Sequence, residues 1–82
     1  MIRQTVTVKI PQEIERNAAM MVQTASDYVS RIHITFLNRT VNAKSIMGVM
    51  TLPLTDGDEV TVQADGKDEE AAMEAMVNFL RG

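Results

Sequence analysis

Ile32-His33-Ile34-Thr35-Phe36-Leu37-Asn38-Arg39-Thr40-Val41-Asn42 is the stretch on which the fold turns. Ile32, Ile34 and Phe36 alternate with His33 and Thr35, and a β-branched run of period two places its apolar members on one face of a strand. Asn38-Arg39 interrupts the run, with Asn38 suited to the positive φ of a tight hairpin, and residues 40–42 return as a short antiparallel partner. This is the one evident hairpin in the chain. Every other strand must therefore be reached through a helical crossover.

Working outward, Ile2, Val6, Val8 and Ile10 alternate with Arg3, Thr5, Thr7 and Lys9, which predicts a first strand that Pro11 stops. From about Arg16 onward, Ala18, Val22, Ala25 and Val29 recur at helical spacing, weakened at the end by Ser26 and Asp27. Beyond the hairpin, Ser45 stands before Ile46, Met47, Val49 and Met50 as an N-cap for a short helix, its hydroxyl accepting an otherwise unpaired N–H. Pro53 and Thr55-Asp56-Gly57-Asp58 mark a turn. Val60, Val62 and Ala64 then alternate with Thr61, Gln63 and Asp65 as a fourth strand, closed by Asp65-Gly66. Asp68 caps a last helix with Ala72, Ala75, Met76 and Phe79 on its apolar face, Glu69 and Glu70 in its first turn and Arg81 at its end. The order is βαββαβα: a four-stranded sheet with three helices on one face, an α+β open-faced sandwich.

A chain of 82 residues buries only about 60% of its unfolded surface and supports one core, so residues 1–82 are expected to form a single domain. There is no cysteine, hence neither a disulfide framework nor a thiolate metal site, and a cytoplasmic setting is expected. No stretch approaches the roughly 20 apolar residues that span a bilayer, so membrane insertion is not expected. A net charge of −3 without tryptophan argues against direct nucleic-acid binding, which needs clustered Lys and Arg. Asp56, Asp58, Asp65, Asp68, Glu69 and Glu70 fall at turns and a helix start, where capping explains them, and Asp56-Gly57-Asp58 supplies too few ligands for a calcium loop. No Gly-rich phosphate loop or nucleophile elbow is present, so no catalysis, metal or small-molecule cofactor is expected. The one histidine, His33, falls mid-strand on the face opposite Ile32 and Ile34, where it reads as an exposed structural residue.

Val22-Gln23-Thr24-Ala25-Ser26 and, more distinctively, Val41-Asn42-Ala43-Lys44-Ser45-Ile46-Met47-Gly48-Val49-Met50 resemble the HPr proteins of Gram-positive bacteria. The resemblance runs almost end to end, through the acidic helix start Asp68-Glu69-Glu70. It implies a four-stranded antiparallel sheet in the βαββαβα order already reached from periodicity. It also implies a histidine, an intervening residue, an arginine and a proline opening the first helix, the histidine carrying a phosphoryl group from Enzyme I to sugar transport proteins.

Here that stretch reads Ile14-Glu15-Arg16-Asn17-Ala18-Ala19, about one residue shorter than the family pattern. Glu15 occupies the degenerate active-site position, Arg16 matches the arginine as a partner contact, and Asn17 replaces the proline. A neutral imidazole is both nucleophile and high-energy phosphoryl donor, whereas a carboxylate repels an incoming phosphate. An ordinary phosphocarrier role is therefore not expected.

Ser45 matches the regulatory serine that HPr kinase/phosphorylase modifies, and Ile46, Met47 and Met50 match residues that dock the family's partners. The type most resembled is the catabolite repression HPr, which likewise lacks the active histidine. It implies a protein-binding corepressor whose partners are the kinase, a catabolite control repressor and phosphotransferase-system proteins. A module with a divergent partner and no serine regulation, and a carrier using Glu15 or His33, are the alternatives.

Overall fold

The β-branched run folds as a strand, β2 (Arg31–Phe36), and turns back into β3 (Arg39–Asn42) with His33 opposite Asn42 and Phe36 opposite Arg39. The computed structural model describes residues 1–9, 14–52 and 57–81, with residues 14–17 described by their backbone alone. The turn is Leu37-Asn38, one residue earlier than the sequence pattern suggests, and Arg39 belongs to the returning strand. Its positive φ, 58°, falls on Leu37 rather than on Asn38. The pairing explains the shift: Phe36 opposite Arg39 leaves only those two residues to reverse the chain, and a two-residue hairpin with the hand of the sheet twist demands positive φ at its first position.

The first strand, β1 (Ile2–Thr7), pairs antiparallel with β4 (Glu59–Asp65), which pairs antiparallel with β2 on its other side. The sheet order is β1-β4-β2-β3, so β1 and β3 are its edges. Val6, Ile32, Ile34, Val60, Val62 and Ala64 are buried on its inner face. Val8 continues the first strand's path, exchanging hydrogen bonds with Asp58 O and Gly57 N, both at 2.7 Å. Ile10, Pro11, Pro53 and residues 55–56 lie outside the described residues.

On the outer face the register lines up two polar rows. Thr5, Thr61, Thr35 and Thr40 form one, with Thr35 and Thr40 hydroxyls 2.8 Å apart, and Arg3, Gln63, His33 and Asn42 form the other. With its amide oxygen toward Arg3, Gln63 accepts from Nε at 2.9 Å and Nη2 at 2.8 Å. His33 faces outward as alternation requires, but its neighbours in this row leave it half-buried rather than exposed.

Three helices cover the inner face. The first, α1 (Ile14–Ser26), buries Ala18, Met21 and Ala25, with Val22 half-buried. Val29 is not part of its face: the helix stops at Ser26 and Val29 is 75% exposed. The short α2 (Ile46–Met50) packs against α1 and β3. The last, α3 (Glu69–Arg81), packs against β1, β4 and α1, burying Ala72, Met73, Met76, Val77 and Leu80. Its buried stripe is rotated from the predicted one, and Ala75 and Phe79 lie half-buried at its margin.

Asp68 stands immediately before α3, and its carbonyl accepts the Ala72 N–H at 2.8 Å as the first turn requires. Its carboxylate, however, does not cap the helix. It accepts the Val29 and Ser30 N–H groups, both at 2.9 Å, and the Ser30 hydroxyl. The Glu69 carboxylate turns back to the loop before the helix, accepting the Gly66 N–H at 3.2 Å and the Met1 ammonium at 3.1 Å.

Candidate functional site

Ser45 owes its position to the residues before it. The Asn42 side-chain oxygen accepts the Lys44 N–H at 2.8 Å and the Asn42 carbonyl accepts the Ser45 N–H at 3.0 Å, an Asx turn that swings the chain out of β3. The Lys44 ammonium donates to the Tyr28 carbonyl at 2.6 Å, fastening this turn to the segment that follows α1.

Ser45 is then extended, at φ −106° and ψ 110°, as an N-cap must be. Its hydroxyl oxygen accepts the Gly48 N–H at 3.3 Å and its carbonyl accepts the Val49 N–H at 2.9 Å. At the far end the Thr51 hydroxyl donates to the Gly48 carbonyl at 2.6 Å, and Arg39 Nη1 donates to the Thr51 carbonyl at 3.0 Å. Five residues cannot sustain a helix in isolation. These end contacts, and Val49 buried at 4% exposure, hold α2 in place.

The rest of α2 faces outward. Ile46, Met47 and Met50 are 37%, 74% and 42% exposed and stand at i, i+1 and i+4, on one side of the helix. Met20 is exposed on α1, the helix against which α2 packs. An alanine methyl at Gly48 would lie 3.4 Å from the Val41 Cβ and 3.5 Å from the Ser45 Oγ. Glycine therefore keeps open the space beside the hydroxyl. The arrangement presents a hydroxyl oxygen at the rim of an apolar surface, and among the described residues no cluster of side chains could hold a metal ion.

Glu15 and Arg16 lie in the first turn of α1, and their side chains fall outside the described residues. His33 is on the sheet face turned away from the helices, and so away from α2. Sequence reasoning singled out Ser45, Ile46, Met47 and Met50, but not Arg39, Asn42, Lys44, Gly48 or Thr51, which position them. Of these, only Asn42 and Gly48 carry a local signal, as turn and small-residue positions next to a cap.

An antiparallel sheet in this order, with three helices on one face and a serine-capped short helix displaying apolar side chains, defines the open-faced sandwich of the HPr proteins. The chain belongs to this family: the pattern described as the PTS HPr component phosphorylation site matches residues 2–82. It is 41% identical over 81 residues to the HPr-like protein Crh of Halalkalibacterium halodurans, covering 98% of this chain and 96% of that protein. The Crh of Bacillus subtilis is 38% identical over 82 residues, covering 99% and 96%. Among solved structures, the phosphocarrier protein HPr from Bacillus anthracis superposes with a TM-score of 0.92 at 36% identity, covering 98% of this chain and 96% of that one.

Proposed function

We propose that this chain is a regulatory HPr-family protein of carbon catabolite repression that works by being phosphorylated on Ser45 and bound, not by passing on a phosphoryl group. The observation that carries the reading is the Ser45 hydroxyl at the start of α2, bordered by the exposed Ile46, Met47 and Met50. A kinase docking on that apolar face has the hydroxyl at its edge. Phosphorylation there adds about −1.5 to −2 charges beside the same face, so one surface serves first as the kinase's grip and then as the altered surface a catabolite control repressor reads.

The sequence supports the loss of relay. Its one histidine is His33, half-buried in the Arg3-Gln63-His33-Asn42 row on the far side of the sheet. Phosphoryl transfer through it would need partners to approach the opposite face of the protein. Glu15 takes the degenerate active-site position and Arg16 stays as a contact for phosphotransferase-system partners. On this reading the protein is no enzyme and works in the cytoplasm; among the described residues no helix is long and apolar enough to cross a membrane.

The test is intact-mass analysis after incubation with HPr kinase/phosphorylase and ATP, beside Ser45→Ala and a parallel reaction with Enzyme I and phosphoenolpyruvate. The expected result is one phosphate from the kinase, none in the variant and none from Enzyme I. A protein left unmodified by the kinase removes the corepressor reading in favour of a binding module with a divergent partner, and label from Enzyme I restores a carrier.

A further inference from the structure

The chain has seven methionines and no cysteine, so thioethers are its only sulfur. They divide sharply. Met21, Met73 and Met76 are core residues at 2%, 5% and 0% exposure, whereas Met1, Met20, Met47 and Met50 are 69%, 46%, 74% and 42% exposed. Two of the exposed four sit on the five-residue α2, within five positions of Ser45. Leucine would cover the same apolar area; methionine differs in that its sulfur can be oxidised reversibly.

We propose that Met47 and Met50 form a peroxide-sensitive switch that controls access of the kinase to Ser45. This rests on the proposed docking role of α2 and extends it to a second modification. A sulfur lone pair attacks one oxygen of hydrogen peroxide, the S–O bond forms as the O–O bond breaks, and the departing hydroxide takes the proton from the transferred hydroxyl, leaving the sulfoxide and water. The sulfur loses two electrons and the peroxide gains them.

The thioether becomes a polar, chiral sulfoxide. The helix itself does not depend on these sulfurs, because its end hydrogen bonds use Ser45, Gly48, Thr51 and Arg39, and its buried anchor is Val49. Oxidation therefore changes the docking face while leaving the acceptor hydroxyl where it was. The core methionines are shielded, so the fold survives the same exposure to oxidant.

The experiment treats the full chain with hydrogen peroxide, removes the oxidant, and measures peptide masses, the thermal midpoint and the rate of phosphorylation by HPr kinase/phosphorylase with ATP. Each sample is compared with its own reduced form. Sulfoxide is expected at Met47 and Met50, with Met1 and Met20 also reacting and Met21, Met73 and Met76 spared. The oxidised protein should be phosphorylated at least about tenfold more slowly, the cost of a polar group set against an apolar contact, and methionine sulfoxide reductase with a dithiol should restore the rate.

In Met47→Leu/Met50→Leu the ratio of oxidised to reduced rates should be one, even though Met1 and Met20 still react. Equal rates before and after oxidation of the unsubstituted protein overturn the switch alone. So does a rate loss that persists in the double variant, or one accompanied by oxidation of the core methionines and a collapsed thermal midpoint. A reduced protein that the kinase does not phosphorylate overturns the switch together with the reading on which it rests.

Discussion

A methyl group on residue 66 would meet Ser30, with its Cβ 2.6 Å from the Ser30 Oγ and 2.7 Å from the Ser30 Cα. The second contact is with backbone, so no rotamer change relieves it. Ser30 is also the buried serine that donates to Asp68, so displacing it disturbs that bond as well. Gly66→Ala should therefore destabilise the protein by about 1–3 kcal/mol, read as a lower urea midpoint; an unchanged midpoint would mean that the two segments separate freely. Leu37 presents the opposite case. It is 83% exposed at φ 58°, a region that costs a side chain with a Cβ roughly 1–2 kcal/mol, against about 0.5–1 kcal/mol of extra chain entropy for glycine. Leu37→Gly should raise stability by a few tenths to about 1 kcal/mol, with a loss of stability showing that Leu37 makes a contact worth more than its strain.

At the scale of elements, α2 lends itself to a test that separates its stability from its proposed role. Ser45→Ala removes the acceptor for the Gly48 N–H and should cost about 1 kcal/mol, seen as faster hydrogen exchange in α2. Gly48→Ala should instead favour the helix by up to about 1 kcal/mol, while its methyl, 3.5 Å from the Ser45 Oγ, crowds the oxygen at which the proposed phosphorylation would occur. The expected outcome is a protein at least as stable but phosphorylated more slowly, and an undiminished rate would show that the space beside the hydroxyl is not used. The Ser45 cap was legible because capping is local: a serine before an apolar run needs only its own next three residues. Strands were legible for the same reason, period two being a property of the strand itself. The helical faces were less so. Repeating apolar residues carry the α1 pattern on to Val29, yet Asp27 and Tyr28 donate back to Thr24 and Ala25 at 3.3 Å and Val29 N–H is captured by Asp68, a partner 39 residues away that no local pattern announces. In α3, apolar residues occupy so much of the circumference that periodicity alone cannot choose between Ala75 with Phe79 and the Met73, Val77 and Leu80 stripe that the sheet buries. The Arg39 and Lys44 contacts that hold α2 are likewise tertiary, joining segments that only the folded sheet brings together.

Across the whole molecule, Asp68 ties the segment between α1 and β2 to the start of α3, and Tyr28 in that segment ties on through Lys44 to the turn that sets Ser45. The Asp68 carboxyl is held below its ordinary value chiefly by the Ser30 hydroxyl, aided by the Val29 and Ser30 N–H groups and opposed by partial desolvation. A carboxyl whose folded value lies below its unfolded one contributes stability that is fully present above the unfolded value, about 3.9, and is lost as pH falls through the lower folded value. The protein should therefore lose stability on acidification below about pH 4, with Asp68 supplying part of the slope. Asp68→Asn removes the charge and sets an amide NH2 where one oxygen accepts a backbone N–H, donor against donor. Urea titrations at neutral and acid pH should give a lower midpoint for the variant at neutral pH and a smaller difference between the two proteins in acid, since protonation has by then weakened the same contacts in the parent. If the two acid limbs run parallel, the clamp is not what titrates. Hydrogen exchange then locates the damage: Val29 and Ser30 amides should open first in the variant, and if the Lys44 and Ser45 amides open with them, the clamp and the candidate site form one cooperative unit spanning both sides of the sheet's connections.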